Sequence, residues 1–323
     1  MNNYLETFTV DNSIFGVKLM DNENEEEIKI FFTLFNECFG ERAHLDKEWY
    51  NWYYSSNPKG ECNNYLLFDV NNAILVGAYG FAKIQYTINL KSNTGVLGVN
   101  GMISKKYGRR GLFSKLMTIA LNYETKTNLA FSFPHGFNLS SVKGHINCGW
   151  SLNENFHFYE LISKTPIAKN KKIKILTIDD LSKIEFGLFN KESNFYFNRD
   201  KDFIKWRFFE RPSKEYIIVG NFVSDQLING YMILGRYLNK DQKIITQIVD
   251  YRVENAEVLE NLIKTALVNG AIINLLISEV SENLRIFKKI GFEKKEECYK
   301  LMTYPDTIDN MYFEGLLGDF DVV

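Results

Sequence analysis

The sequence predicts an α+β chain built from two similar halves. Two observations carry that reading, and a third points toward function. The stretch Asp46-Lys-Glu-Trp-Tyr-Asn-Trp-Tyr-Tyr-Ser-Ser-Asn-Pro58 lies over Asp200-Lys-Asp-Phe-Ile-Lys-Trp-Arg-Phe-Phe-Glu-Arg-Pro212 at a constant offset of 154 residues, without a gap. Each copy is followed by two strand-like runs, and each half closes on a Gly-aromatic turn, Asn147-Cys-Gly-Trp150 and Lys289-Ile-Gly-Phe292. A long-period duplication of this kind means two copies of one domain. The third observation is a short basic loop with glycines, set between a strand and a helix in the first half alone.

Taken in order, the first half opens with a helix-loop region around His44 and the aromatic run 49–54. Strand-like runs follow at 65–70, 73–81 and 95–103. Residues 112–124 then read as a helix, with Leu112, Leu116, Ile119, Ala120 and Tyr123 at helical spacing. Phe131-Ser-Phe-Pro-His-Gly-Phe-Asn138 reads as the next strand and its exit, before a short helix and the Gly-aromatic turn. The second half repeats the pattern from Tyr216-Ile-Ile-Val-Gly220 and Leu227-Ile-Asn-Gly-Tyr-Met-Ile-Leu234 onward. The basic, Pro-containing connector Lys164-Thr-Pro-Ile-Ala-Lys-Asn-Lys-Lys172 separates a first unit, 1–165, from a second, 166–323.

Composition narrows the function classes. A chain of 323 residues with 45% hydrophobic and 24% charged residues fits an ordinary globular protein. The net charge of −2 argues against non-specific nucleic-acid binding, although it leaves room for a local basic groove. Cys38, Cys62, Cys148 and Cys298 have no metal-ligand spacing, so free thiols in a reducing cytosol are expected. No apolar run approaches the roughly 20 residues that span a bilayer. The first residues lack the pattern of a secretory signal.

The loop Ile103-Ser-Lys-Lys-Tyr-Gly-Arg-Arg-Gly-Leu-Phe-Ser-Lys-Leu116 carries most of the chemistry. The first N–H groups of a helix have no internal partner and mark the positive end of its dipole. Gly108 and Gly111 would let the backbone approach a diphosphate, and Lys105, Lys106, Arg109 and Arg110 add charge. An ordinary strand-helix turn with a solvated basic rim is the alternative.

This stretch resembles the acyl-CoA diphosphate loop of the GCN5-related N-acetyltransferase superfamily, an Arg/Gln-x-x-Gly-x-Gly/Ala pattern opening a helix. Gly111 matches the middle glycine. Gly108 stands at the leading Arg/Gln position and Phe113 at the last small one, two departures from the pattern. Phe287-Lys-Lys-Ile-Gly-Phe-Glu293 is similar to the superfamily's Tyr-x-x-x-Gly-Phe ending. The resemblance covers nearly the whole chain. It implies two tandem domains, each with a mixed, mostly antiparallel sheet flanked by helices, an arrangement that N-myristoyltransferases and peptidoglycan-bridge aminoacyltransferases share.

The resemblance also implies roles. Acyl-CoA would lie against Met102, Ile103, Ser104, Gly108, Arg109, Arg110, Gly111, Leu112, Phe113 and Ser114, with Asn138 and Ser141 at the pantetheine arm. The last two are alternatively a helix cap and first turn. A backbone N–H from Met102 to Ser104 would hold the oxyanion. The proton donor of the superfamily often sits four residues before the final Gly, which gives His145 here and inert Phe287 in the second half. His135, at a strand exit, is the candidate base; for both histidines a capping role is the alternative. The second half reads Asp250-Tyr-Arg-Val-Glu-Asn-Ala-Glu-Val258 where the loop belongs, so one CoA site is expected and the second unit walls the acceptor pocket.

His44, Tyr50 and Tyr53 are the candidate substrate contacts, with core packing as the alternative for the aromatic rings. The segment Tyr53-Tyr54-Ser55-Ser56-Asn57-Pro58 and the Gly-x-Phe loop look like those of nucleotide-sugar N-acyltransferases of surface-polysaccharide pathways. That subtype implies acetyl-CoA or 3-hydroxybutyryl-CoA as co-substrate, no metal, a nucleotide-linked amino-deoxy sugar as acceptor and a monomer. A different amine, an aminoacyl-tRNA-dependent transferase and a non-catalytic binding protein are the rivals.

Overall fold

The computed structural model describes residues 4–40, 46–124, 129–162, 170–186, 195–239, 241–267, 271–305, 313–316 and 318. Among them the chain runs β1 (Glu6–Val10), β2 (Ser13–Leu19), α1 (Glu25–Phe39), α2 (Lys47–Tyr50), β3 (Asn63–Asp69), β4 (Ile74–Ile88), β5 (Lys91–Ile103), α3 (Leu112–Glu124), β6 (Ala130–Ser132), α4 (Leu139–Asn147) and β7 (Ser151–Ile162). The second half follows with β8 (Ile173–Ile175), β9 (Phe195–Phe197), α5 (Lys201–Ile204), β10 (Tyr216–Ser224), β11 (Leu227–Leu238), β12 (Ile244–Val253), α6 (Ala256–Ala266), β13 (Ile272–Ser278), α7 (Leu284–Ile290) and β14 (Glu293–Tyr304). No described helix is long and apolar enough to cross a membrane.

Local chemistry explains the elements. Asn24 caps α1 by accepting from the N–H groups of Glu26 and Glu27, and three glutamates in the first turn suit the dipole. Ile28, Phe31, Leu34 and Phe35 form its buried face. The β1–β2 and β4–β5 hairpins turn on residue pairs with positive φ, Asp11-Asn12 and Asn89-Leu90, the geometry that matches strand twist.

All described strands join one sheet in the order β1-β2-β3-β4-β5-β6-β14-β7-β13-β12-β11-β10-β8, with β9 pairing β4. The pairs β5/β6 and β12/β13 are parallel, and every other described pair is antiparallel. The final strands are exchanged. β7 ends the first half yet pairs with β13 of the second, while β14 inserts between β6 and β7. The connector cannot show this in sequence; its residues 163–169 lie outside the described ones.

The repeat is exact at the junction. Asp46 and Asp200 cap α2 and α5 in the same way, by accepting from the N–H of Trp49 and of Phe203. Each short helix runs into a π-helical turn, Asn51–Ser55 and Lys205–Phe209. Trp52 and Trp206 stack at 5.1 Å, and each indole N–H donates to the other's backbone carbonyl at 2.8 and 2.9 Å. Reciprocal bonds between equivalent residues place the pair on a local two-fold axis, so their expected packing role is what the structure shows.

The two halves differ where the paired strands diverge. In the second half β12 and β13 part after Ile248 and Leu275, and the C-terminal segment fills the gap. Leu316 bridges Ile277, Glu314 N–H donates to Phe195 O, and a Cβ on Gly318 would crowd the Asp250 carboxylate. Phe313 is fully buried against Phe133, Phe156, Phe195 and Phe197. The tail therefore packs on its own chain. Trp206→Ala is expected to lower unfolding free energy by about 3–5 kcal/mol through lost ring volume. Trp206→Phe, which removes the N–H and strands the Trp52 carbonyl, should cost about 1–3 kcal/mol. Urea unfolding checks both.

Candidate active site

In the first half β5 and β6 pair at Val96↔Ala130 and Leu97↔Phe131, and then part. A cleft of about 360 Å³ opens beyond them, with residues 98–101 on one wall and 132–135 on the other. A bulge shapes the first wall: Asn100 and Gly101 together face Tyr79, between the pairs Ala78↔Met102 and Gly80↔Val99. Asn100 sits at φ 50° and its side-chain amide donates to the Tyr54 hydroxyl. A bulge frees backbone groups from the ladder. The ladder takes up part of the expected oxyanion stretch: Met102 pairs Ala78, and the Ser104 N–H donates to Val76 O at 2.8 Å. Ile103, between them in the alternating antiparallel pattern, turns its N–H away from β4, and the bulge adds the groups of Asn100 and Gly101.

The basic loop begins with Ser104 Oγ and the Lys105 N–H both donating to Glu37 Oε1, at 2.7 and 3.0 Å. Gly108 has an ordinary φ of −62°, so its conformation does not demand glycine, contrary to expectation. Gly111 does, at φ 72°, and it faces open space. Arg109 is exposed at φ 64°. Arg110 is committed to the β1–β2 hairpin: Nε donates to Asp11 at 2.9 Å, a second nitrogen donates to Val10 O at 3.1 Å, and the guanidinium lies over the Phe15 ring. Its place in a phosphate site is corrected to a structural one. The Lys115 N–H makes the first bond of α3, to Gly111 O, so those of Leu112, Phe113 and Ser114 precede it and point out of the helix end. Leu112 itself is core. The large Phe113 is accommodated because Gly101 and Gly144 leave room; a Cβ on either would meet its ring within about 3 Å.

His145 is 3% exposed and burial pushes its pKa down to about 4. Nδ1–H donates to Ser141 O at 2.8 Å, which leaves Nε2 to accept from the Tyr79 hydroxyl at 3.1 Å. His145 is thus a neutral acceptor, not the proton donor expected from its position. The proton of that bond belongs to Tyr79, whose own pKa burial raises and whose oxygen also receives a hydrogen bond from Ser132. A Cβ on Gly98 would collide with that hydroxyl, so the phenol lies across β5 at the start of the opening.

His135 lies on the opposite face of the sheet. Side chains alternate along a strand, and Phe131 and Phe133 pack with the α1 cluster whereas Tyr79 belongs with α3. Nδ1 of His135 accepts from the Phe137 N–H at 3.2 Å, and Nε2 is 3.1 Å from Glu297 Oε1. Asn138 caps α4 through the Ser141 N–H at 3.2 Å, and both residues also line the cleft. Tyr50 is corrected: it is fully buried and donates to Asn22 Oδ1 at 2.7 Å. Tyr53 stacks on Trp49 at 5.5 Å and borders a second, small and mostly apolar cavity of about 40 Å³, which shares Leu97 with the lining of the cleft. His44 lies outside the described residues.

No family model matches the sequence, and no curated protein does. Solved structures do. The chain is similar to a Saccharomyces cerevisiae N-myristoyltransferase with bound myristoyl-CoA, at TM-score 0.63 and 11% identity over 94% of this chain and 85% of that one. It is also similar to a GCN5-related N-acetyltransferase from Anabaena variabilis ATCC 29413, at TM-score 0.68 and 11% identity over 89% and 72%. A conserved protein from Enterococcus faecalis V583 described as a probable N-acyltransferase aligns at TM-score 0.65 and 15% identity over 90% and 72%. The fold is that of the GCN5-related N-acetyltransferases.

Within that fold the second half departs at each place that matters for a ligand. β12 reaches α6 through Glu254 and Asn255 alone, and the Asn255 side chain already accepts from the Val258 N–H. Asp250, opposite Ile233 where β12 is bulged, is buried and paired with Arg199 Nε at 2.7 Å. Tyr79, Asn100, Ser132 and Glu297 were missed in the sequence. Gly98 and Gly101, two residues without side chains against one ring, were the available signal for Tyr79.

Stability is expected to depend on pH through His145. The unfolded imidazole takes a proton near 6.5 and the folded one near 4. Between these values the unfolded state binds more protons, so stability falls as pH drops from about 6.5 to about 4, by on the order of 3 kcal/mol, and does not change on this account above 6.5. Urea midpoints against pH should show this fall in the wild type and lack it in His145→Gln.

Proposed function

We propose that the chain is an acyl-CoA-dependent N-acyltransferase with one site, in the first half. The observation that carries this reading is the β5/β6 opening beside a helix start reached through Gly111. The diphosphate would rest on the N–H groups of Leu112, Phe113 and Ser114, with Arg109 in place of the lost leading Arg. The thioester would lie in the opening, its carbonyl oxygen against the freed backbone of Asn100 and Gly101.

The chemistry follows from the two faces. A neutral amine attacks the thioester carbon from the α1 face, and the C–N bond forms as charge moves to the carbonyl oxygen. Collapse breaks the C–S bond, and the thiolate departs toward the α3 face. There the Tyr79 hydroxyl turns its one proton from His145 Nε2 to hydrogen-bond the sulfur. Burial makes Tyr79 a weak acid, so stabilisation by that bond, more than full proton transfer, is its role. His145 and Ser132 hold the phenol in place.

The acceptor we propose is a nucleotide-linked amino-deoxy sugar such as a dTDP-3-amino-3,6-dideoxyhexose, from the resemblance of the Tyr-Tyr-x-x-Asn-Pro segment and the Gly-x-Phe loop. The donor we propose is acetyl-CoA or 3-hydroxybutyryl-CoA, from the same resemblance. Free-thiol release with either thioester and this sugar tests the reading. Turnover of a polyamine, peptide or aminoglycoside with none of the sugar would move the acceptor. Tyr79→Phe is expected to lower kcat about 10–100-fold and leave the acyl-CoA Kd nearly unchanged. An unchanged kcat would remove Tyr79 from the reaction.

A further inference from the structure

Resting on the N-acyltransferase reading, we infer that Glu297, held by the exchanged strand β14 against His135 on the cleft wall, receives the proton of the incoming amine, and that His135 positions it. The placement is a product of the exchange. Gly136 N–H donates to Cys298 O at 2.7 Å, Lys300 N–H donates to Pro134 O at 3.0 Å, and His135 stands opposite Tyr299. These bonds zip the exit of β6 to the edge of β14. Glu297 and Tyr299, two residues apart, then both flank the His135 ring: Nε2 is 3.1 Å from Glu297 Oε1, and the Tyr299 ring meets the imidazole edge-on at 5.0 Å.

The tautomer decides which group acts. The Phe137 N–H occupies the Nδ1 lone pair at 3.2 Å, so the proton of His135 is on Nε2 and points at the carboxylate. His135 thus has no lone pair to offer an amine. Glu297 has: its carboxylate accepts one bond from the ring, and its side chain is 53% exposed. The lysines near it on β14 face elsewhere, Lys294 to Glu279, Lys295 to Glu160 and Lys300 to Asn155. The carboxylate charge is therefore not cancelled by a neighbouring ammonium, and the mouth on the α1 face attracts a cation.

The step balances simply. The acceptor arrives as an ammonium ion. Glu297 takes one N–H proton, directly or through one water, and the nitrogen lone pair so released attacks the thioester carbon. As the C–S bond breaks, the thiolate leaves on the Tyr79 side. The carboxyl proton passes to solvent, and the freed carboxylate takes the second N–H proton of the now cationic nitrogen, leaving a neutral amide. The carboxylate and the phenol stand on opposite sides of the opening, so the attacking nitrogen and the departing sulfur meet different groups.

Glu297→Gln tests this with two acceptors and acetyl-CoA as donor. The first is the dTDP-linked amino sugar, an ammonium ion at pH 7. The second is hydroxylamine, which is already neutral there and needs no base before attack. Transfer to the sugar should fall about 100-fold or more, transfer to hydroxylamine should stay within a few-fold, and acetyl-CoA binding should be unchanged. His135→Gln, which keeps a donor, should retain more transfer to the sugar than His135→Ala. Wild-type rates with the sugar in Glu297→Gln would overturn the inference, as would an equal loss with both acceptors. A wild type that binds acetyl-CoA but acylates neither amine would remove this role for Glu297. A wild type that does not bind acetyl-CoA would instead sink the N-acyltransferase reading beneath it.

Discussion

The exchange of the last strands is the constraint on which the rest of the molecule depends. β14 completes the sheet of the first half and β7 that of the second, so neither half has a finished sheet alone. Burying strand edges in this way removes two unpaired rows of N–H and C=O groups. It also fixes the halves about the axis through Trp52 and Trp206. The same axis sets the π-helical turns against each other, and one of them, through Tyr54, ties down the Asn100 bulge. Architecture and site are thus coupled by a short chain of contacts.

Duplication left one opening free and closed the other. In the first half Gly98 and Gly101 keep β5 bare of side chains where it parts from β6. In the second half the bulged stretch of β12 carries the buried Asp250, paired with Arg199, and residues 313–316 and Gly318 lie against the opening. A buried ion pair is a poor site for a diphosphate or a thioester, because a charged ligand would have to displace a partner already desolvated. The proposal of a single site rests on this asymmetry.

Much of the fold was legible, and for physical reasons. The helix 112–124 emerged with its bounds because its apolar spacing is regular, and the repeat at 46–58 and 200–212 showed the duplication directly. The strand exchange was not legible. Pairing partners of β7 and β14 depend on packing across the whole chain, and both strands read alike whichever sheet they join. That is why Glu297 was missed: it is far from His135 in sequence. The π-helical turns were also invisible, since spacing cannot separate five-residue from four-residue bonding. His145 was placed correctly beside the cleft, but its chemistry depends on burial and on Tyr79, which count-back from Gly149 cannot show. Arg110 misled because charge in a loop says nothing about the Asp11 that neutralises it.

The central claim is that one acyl-CoA binds, at the first-half opening. Calorimetric titration with acetyl-CoA of the wild type and of Gly111→Glu tests it most directly. The account predicts saturation near one ligand per chain, lost when a carboxylate is placed at the diphosphate position. No binding by the wild type, two sites per chain, or full binding by Gly111→Glu would contradict it.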